Sequence, residues 1–345
     1  MYLTTRFAIF TITILLIQTS LFAQELSRIK IQIISDEAEA VLKVLDKRNA
    51  NKNILESDWQ SIFNSEGYVR LKKREHALKR SFSNKDFKKF VLSSELLKRR
   101  SDLTKALSEW KQISAEKAGK LALAYLPKNS EIKSKIYPVI KPKTNSFVFE
   151  ITTNPAIFLY LDPTVSKKKF ENTLAHELHH IGYANNCDKK DVYKTFPQNI
   201  QKVLKWTGAF GEGFAMLAAA GGTKNHPHSV SDLEEKKRWD KDVANFNVNL
   251  KLIEKFFLNL SNEKLTDEKE IETARSFYGI QGPWYTVGWK MGVVIEETFG
   301  RSKLIECMCD KTMLFKTYNE AVPKYNQANN EKLAFWSTNL ISKKN

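Results

Sequence analysis

The sequence predicts an α+β protein, predominantly helical, with a small sheet next to one specialised helix. Three observations point there. Apolar residues recur three and four apart through most of the chain. Short β-branched and aromatic runs at 136–140, 147–151 and 156–161, separated by Pro142, Asn145 and Asn154-Pro155, interrupt that pattern. The stretch that follows, Thr173-Leu174-Ala175-His176-Glu177-Leu178-His179-His180-Ile181, carries residue types that specify a chemistry as well as a core.

Residues 1–23 contain Arg6, run apolar from Phe7 through Leu16 to Phe22, and reach a small residue, Ala23, before Gln24. This is the layout of a cleaved secretory signal and predicts a secreted or periplasmic protein. Arg6 is the only charged residue there, so the mature chain keeps all but one unit of a +16 net charge over 345 residues. Such an excess favours anionic partners in general, an envelope surface among them. Cys187, Cys307 and Cys309 are too few for a disulfide framework. Because Cys307 and Cys309 are separated by one residue, the attractive bridge runs from Cys187 to one of them.

After the signal, Ile29, Ile31 and Ile33 alternate with Lys30 and Gln32 as in a strand. Ser35-Asp36-Glu37 offers a capping hydroxyl and two first-turn acids to a helix with Ala38, Val41, Leu42 and Leu45 on one side. Ser57-Asp58-Trp59-Gln60 has capping-box spacing and opens a second helix ending near Gly67. From Arg70 to Lys105, thirteen Lys and Arg stand against Glu75, Asp86, Glu95 and Asp102, with Phe87, Phe90, Val91 and Leu97 at helical spacing among them. Amphipathic helices with solvated basic faces account for this, and no nucleic-acid module accompanies the charge, so nucleic acid is not an expected partner. Helical pattern continues through Leu103, Leu107, Trp110, Ala118 and Leu121 until Pro127. Residues 24–127 thus read as a helical, basic N-terminal region, and 128–340 as a second domain.

In that second domain the three short runs are strands, and Asp162-Pro163 supplies an N-cap and a first-turn proline for the next helix. On a helix, positions four apart share a face, so His176 and His180 aim two imidazoles at one point, which suits zinc. Glu177 falls beside that face, where it can polarise a water without being a ligand. This is the HExxH arrangement of a metallohydrolase. By composition, with six histidines in the chain, its chance occurrence is roughly a one-in-a-hundred event. His179, three residues from His176, stands in the wrong relation to Glu177 and falls to a supporting or surface role.

A catalytic zinc usually takes a third protein ligand. The extended metzincin pattern needs glycine at 183 and histidine at 186, where this chain has Tyr183 and Asn186, so that class is excluded. The best candidate is Glu212, inside the small-residue run from Gly208 to Gly222, because a carboxylate there is costly to bury without a counter-charge. His226 and His228 are the alternatives. With HExxH on one helix and a glutamate on a later one, the sequence resembles the gluzincins. Within them it is similar to exported zinc-dependent peptidases of unknown substrate that share the His-His-Ile ending of the motif, a later Glu-Gly helix and a Tyr-x-x-Gly helix. The resemblance spans residues 120–320 and implies a zincin-like catalytic domain, with His176, His180 and Glu212 as ligands and Glu177 as general base. The thermolysin-type Asn-Glu-x-x-x-Asp signature is absent around Glu212.

Downstream, 233–260 is charged and helical, with Ile253, Phe256, Phe257 and Leu260 as its core stripe. Gly282-Pro283 opens a further helix in which Tyr285 stands near the start, where its hydroxyl can reach a cleft and meet an oxyanion. The expectation is a secreted zinc metallopeptidase acting on peptides or proteins. A contrasting expectation is an exported metal-containing scaffold, or an anionic-surface binding protein, without hydrolytic activity.

Overall fold

The computed structural model describes residues 27–187 and 190–342. The expected signal peptide at 1–23 lies outside them. The architecture is α+β, predominantly helical, with one four-stranded sheet among the described residues. Two compact units divide the chain: residues up to Lys120 with Ser130–Pro163, and Leu121–Asn129 with everything from Thr164 on. This differs from the expected division at 127/128. The strand at the N-terminus, β1 (Ile29–Ile33), pairs with β2 (Ile132–Val139), so the sheet cannot leave the segment that supplies its first strand. The sheet therefore belongs to the first unit and the motif helix to the second.

In the first unit the strand order is β1-β2-β4-β3, with β3 at Phe147–Phe149 and β4 at Ala156–Tyr160. β1, β2 and β4 run parallel, and β3 is antiparallel to β4. The interior strand β4 is buried at all five positions, while edge strand β1 alternates half-buried with exposed residues; parallel strands are covered on both faces, edges less so. Helices α1 (Asp36–Asn49), α2 (Glu56–Phe63), α3 (Glu66–Ala77), α4 (Asn84–Val91), α5 (Ser94–Lys98), α6 (Arg100–Lys111) and α7 (Ala115–Leu123) complete the N-terminal stretch.

Local chemistry here departs from the sequence reading in detail. Ser35 precedes α1, but its hydroxyl donates to Glu39 at 2.7 Å instead of capping the helix. Asp36 takes over, accepting backbone N–H groups from Glu37 and, across the chain, Glu66. Helix α2 starts one residue before Ser57, with Asp58 accepting the Leu55 N–H at 2.8 Å. It ends at Phe63, not Gly67. Gly67 lies inside α3, where a Cβ would come within 3.1 Å of the Glu37 Cβ, so its small size serves helix packing.

The second unit contains α8 (Lys167–Asn186), α9 (Lys190–Tyr193), α10 (Gln198–Thr207), a single 3-10 turn (Gly208–Phe210), α11 (Gly211–Ala220) and α12 (Leu233–Ala244). These are followed by α13 (Phe246–Ser261), α14 (Asp267–Ser276), α15 (Pro283–Phe299), α16 (Arg301–Cys309), α17 (Leu314–Asn329) and α18 (Thr338–Ser342). Helix α8 starts at the Ser166 cap, whose Oγ accepts the Lys169 N–H at 3.2 Å, and not at Asp162-Pro163. Helix α15 is the axis of the unit, packing against α11, α13, α16 and α17. Around it Phe210, Phe257, Trp284, Phe315 and Trp336 are all buried, with Phe210 edge-on to Trp284 at 5.1 Å between centroids and Phe315 stacked on Trp336 at 4.4 Å. Rings of this size, fully buried, each cost about 3–5 kcal/mol to truncate to alanine.

Cys187, at the end of α8, is bridged to Cys309, at the end of α16, and Cys307 is free and buried. The bridge spans 122 residues of chain; a loop of that order restricts the unfolded state by about 4–5 kcal/mol in the chain-entropy account.

Candidate metal centre

Helix α8 buries Phe170, Leu174, Ala175, Leu178 and Ile181 and leaves His176, Glu177 and His180 half-buried on the adjoining face. The four-residue spacing brings the two imidazoles edge to face, ring centroids 4.6 Å apart, with their Nε2 atoms 3.0 Å from one another. Glu212, second residue of α11, closes the group: its Oε2 lies 3.2 Å from His176 Nε2 and 3.1 Å from His180 Nε2. Among the described residues this is the group of histidine, cysteine and acidic side chains able to hold a metal ion. Two ring nitrogens and a carboxylate oxygen crowded together in this way suit an ion at their centre. Ligand atoms ~2.0–2.1 Å from a tetrahedral zinc stand about 3.3 Å from each other, and the observed triangle is within a few tenths of an ångström of that.

What carries Glu212 to this point is the approach of α11 to α15. A Cβ on Gly213 would overlap the backbone of Tyr285, Gly288 and Trp289, and one on Gly288 would stand 2.7 Å from the Phe210 carbonyl oxygen. Glycine on both helices lets the backbones touch. The glycine in this small-residue run thus makes its tightest contact with α15. Asn172 of α8 also donates to the Ala219 carbonyl at 3.0 Å, fixing α8 against the far end of α11.

The electrostatics follow from the crowding. Burial opposes a charge on Glu212, but the two imidazoles, through charge and hydrogen bonds, hold its carboxyl well below the usual range. Burial likewise opposes a charge on His180, but the Glu212 carboxylate raises it to about 9. Tyr285 is pushed up by burial and then by the Glu212 charge, so its hydroxyl stays protonated. Its ring lies nearly parallel to that of His176, centroids 6.4 Å apart. Tyr278, just before α15, is raised by burial and by the same carboxylate; an aromatic residue in an ordinary turn gave no sequence signal for this position.

A cleft of about 220 Å³ opens beside the group, lined by His176, Glu177, Met216, His228, Gln281 and Tyr285. The ion pair of Lys169 with both Glu235 oxygens, each 2.7 Å, forms another part of its wall. The remaining histidines fall outside the triangle. His179 is fully buried, pushed down to about 3 mainly by burial, and its ring lies nearly parallel to Tyr183. His226 contacts Asp240 at 2.7 Å. His228, 3% exposed, contacts the Ser231 hydroxyl through Nδ1 at 2.9 Å and leaves Nε2 without a partner. Burial pushes it down to about 4, so it is a neutral imidazole in the cleft wall.

No curated protein and no solved structure matches the chain. A family model does match, over residues 33–327, a span that takes in nearly all of both units. The chain belongs to the family described as "Putative zinc dependent peptidase (DUF5700)", whose metal is zinc.

Proposed function

We propose that this chain is an exported, gluzincin-type zinc peptidase with a zincin-like catalytic unit, holding its metal through His176, His180 and Glu212 and hydrolysing peptide bonds in the adjoining cleft. The observation that carries the reading is the convergence of two Nε2 atoms and one carboxylate oxygen at 3.0–3.2 Å beside a cleft that contains Glu177 and Tyr285. Zinc bound there supplies Lewis-acid chemistry, lowering the pKa of water and polarising a carbonyl. Glu177, outside the triangle, takes the proton of the attacking water and returns it to the leaving amine. Tyr285, protonated and in the same cleft, donates a hydrogen bond to the oxyanion that develops on the scissile carbonyl. Export is supported by the Cys187–Cys309 bridge, since such bonds persist in oxidising compartments, together with the signal-like residues 1–23.

The test is purified protein assayed for zinc and for cleavage of an unbiased peptide library, beside a Glu177→Gln variant. An enzyme shows about one zinc per chain in both proteins and hydrolysis only in the unsubstituted one. A metal-containing scaffold binds zinc in both and cleaves nothing.

A further inference from the structure

The first unit has its own cavity, of about 170 Å³, that the peptidase reading does not use. Its walls are of two kinds. Leu71, Phe82 and Pro142 supply apolar surface, and Arg80, Lys141 and Lys143 supply cations. Glu75 also lines it, but its carboxylate is already engaged by two guanidinium groups, Arg74 and Arg80, with Arg80 Nε and Nη2 at 3.1 and 3.0 Å. The charge left over at the cavity is therefore positive.

Lys141 is the informative member. It is only 4% exposed, and no carboxylate lies within ion-pairing distance of it among the described residues. Its ammonium donates to Asn145 Oδ1 at 2.9 Å and to the Lys143 carbonyl, and it faces the rings of Phe147 and Tyr160 at 5.6 and 5.8 Å. Neutral oxygens and ring faces leave a buried cation undercompensated, and burial accordingly lowers its pKa to about 8. Its nearest acidic neighbours do not make up the deficit. Glu75 is shared between two arginines, and Glu37, pushed up to about 8 by its own burial, is largely uncharged at neutral pH. A cavity of this size accepts a body about as large as a benzene ring.

We infer that this cavity is a binding site for a small apolar carboxylate, its ring or branched chain against Leu71, Phe82 and Pro142 and its carboxylate on Lys141 and Arg80. Free organic acids and the C-terminal residue of a peptide both present that chemistry. A bound carboxylate gives Lys141 the counter-charge it lacks, and charge-assisted hydrogen bonds of this kind discriminate strongly against a neutral isostere.

The full-length mature protein is titrated with phenylacetate and with phenylacetamide by isothermal calorimetry at constant ionic strength. Phenylacetate is expected to bind saturably below about 10 mM and the amide at least about tenfold more weakly. Lys141→Met keeps the stem without the charge and is expected to weaken phenylacetate about tenfold, while Arg80→Gln, at the more exposed rim, weakens it less. A circular-dichroism melt of each variant shows that it is folded. Acetyl-phenylalanine in a parallel titration separates the sources: binding equal to phenylacetate points to peptide termini, and much weaker binding to free acids. Equal binding of acid and amide, no saturation by either acid, or phenylacetate affinity unchanged in both variants overturns the site.

Discussion

Helices α1 and α11 each carry a glutamate as their second residue, Glu37 buried and Glu212 half-buried, and the two carboxyls end in opposite states. Glu37 is 1% exposed, accepts one N–H from Ile140 at 3.0 Å, and has its other oxygen without a partner. Burial, with the Asp36 carboxylate adding to it, raises it to about 8. Glu212 is also largely enclosed, but it faces two imidazoles and is held well below the usual carboxylate range. Both stand in a first helical turn, where the helix dipole favours a negative charge. That contribution does not decide the outcome; the presence of cationic or metal-accepting neighbours does. Glu37 loses its charge for want of a partner, whereas Glu212 keeps its charge because two imidazoles face it.

The largest effect that sharpens this contrast is expected at the residue beside the triangle. Glu177→Gln should lower kcat/KM by about 10³–10⁴ while leaving zinc content unchanged, because it removes a proton acceptor and no ligand. Hydrolysis surviving at the original rate would end the mechanism even with zinc in place.

Glu212→Gln comes next. Removing the charge from the proposed third ligand should weaken zinc by about 100-fold or more, read by competition with a chromogenic chelator. His176→Ala and His180→Ala should do the same. His179→Ala should keep the metal, since His179 lies outside the triangle. Comparable zinc loss in the His179 variant would mean that the triangle has been misassigned.

The position of Glu212 depends on a contact that involves no metal chemistry. Gly213→Ala would place a methyl against the α15 backbone, so the helices must separate, at a cost of about 1–3 kcal/mol in stability and some loss of zinc affinity. Thermal melts with and without chelator check it. If Gly213→Ala melts like the unsubstituted protein and keeps its zinc, the close crossing is not what places the carboxylate.

How much of this could be read in advance depended on how local each feature is. His176 and His180 were legible because helical periodicity alone puts them on one face. Glu212 was legible for an energetic reason, the cost of a carboxylate in a run of glycine and alanine. The same run did not say which neighbour the glycines would meet, because Gly213 and Gly288 are 75 positions apart in the sequence and their contact is made only by the tertiary fold. The pairing of β1 with β2 has the same character: Ile31 opposes Ser134 in register, and nothing near Ile31 announces a partner a hundred residues away. Ser35 shows the limit of cap rules, since Glu39 competes for its hydroxyl. Choosing Cys309 over Cys307 needed the end of α16 in place.

A pH-dependent stability tests the other half of the comparison, the carboxyl that has lost its charge. Glu37 has a folded-state pKa of about 8 against an ordinary 4.5. The folded state therefore binds the proton more tightly than the unfolded chain. The stabilisation from protonated Glu37 is complete below the unfolded value and is lost as pH rises through the folded one. Between about 4.5 and about 8 this one group should reduce unfolding free energy by up to ~1.4 kcal/mol per pH unit, before other groups add their own slopes. Glu37→Gln keeps an oxygen for the Ile140 N–H and cannot ionise, so its urea-unfolding free energy should exceed that of the unsubstituted protein increasingly from pH 6 to pH 8. Zinc content should not change, because Glu37 is not part of the proposed metal-binding triangle. Parallel pH profiles for the two proteins would show that Glu37 is no more protonated in the folded state than in the unfolded one. Its unpartnered oxygen would then have to be satisfied by water, and the contrast with Glu212 would rest on solvation instead of on the imidazoles.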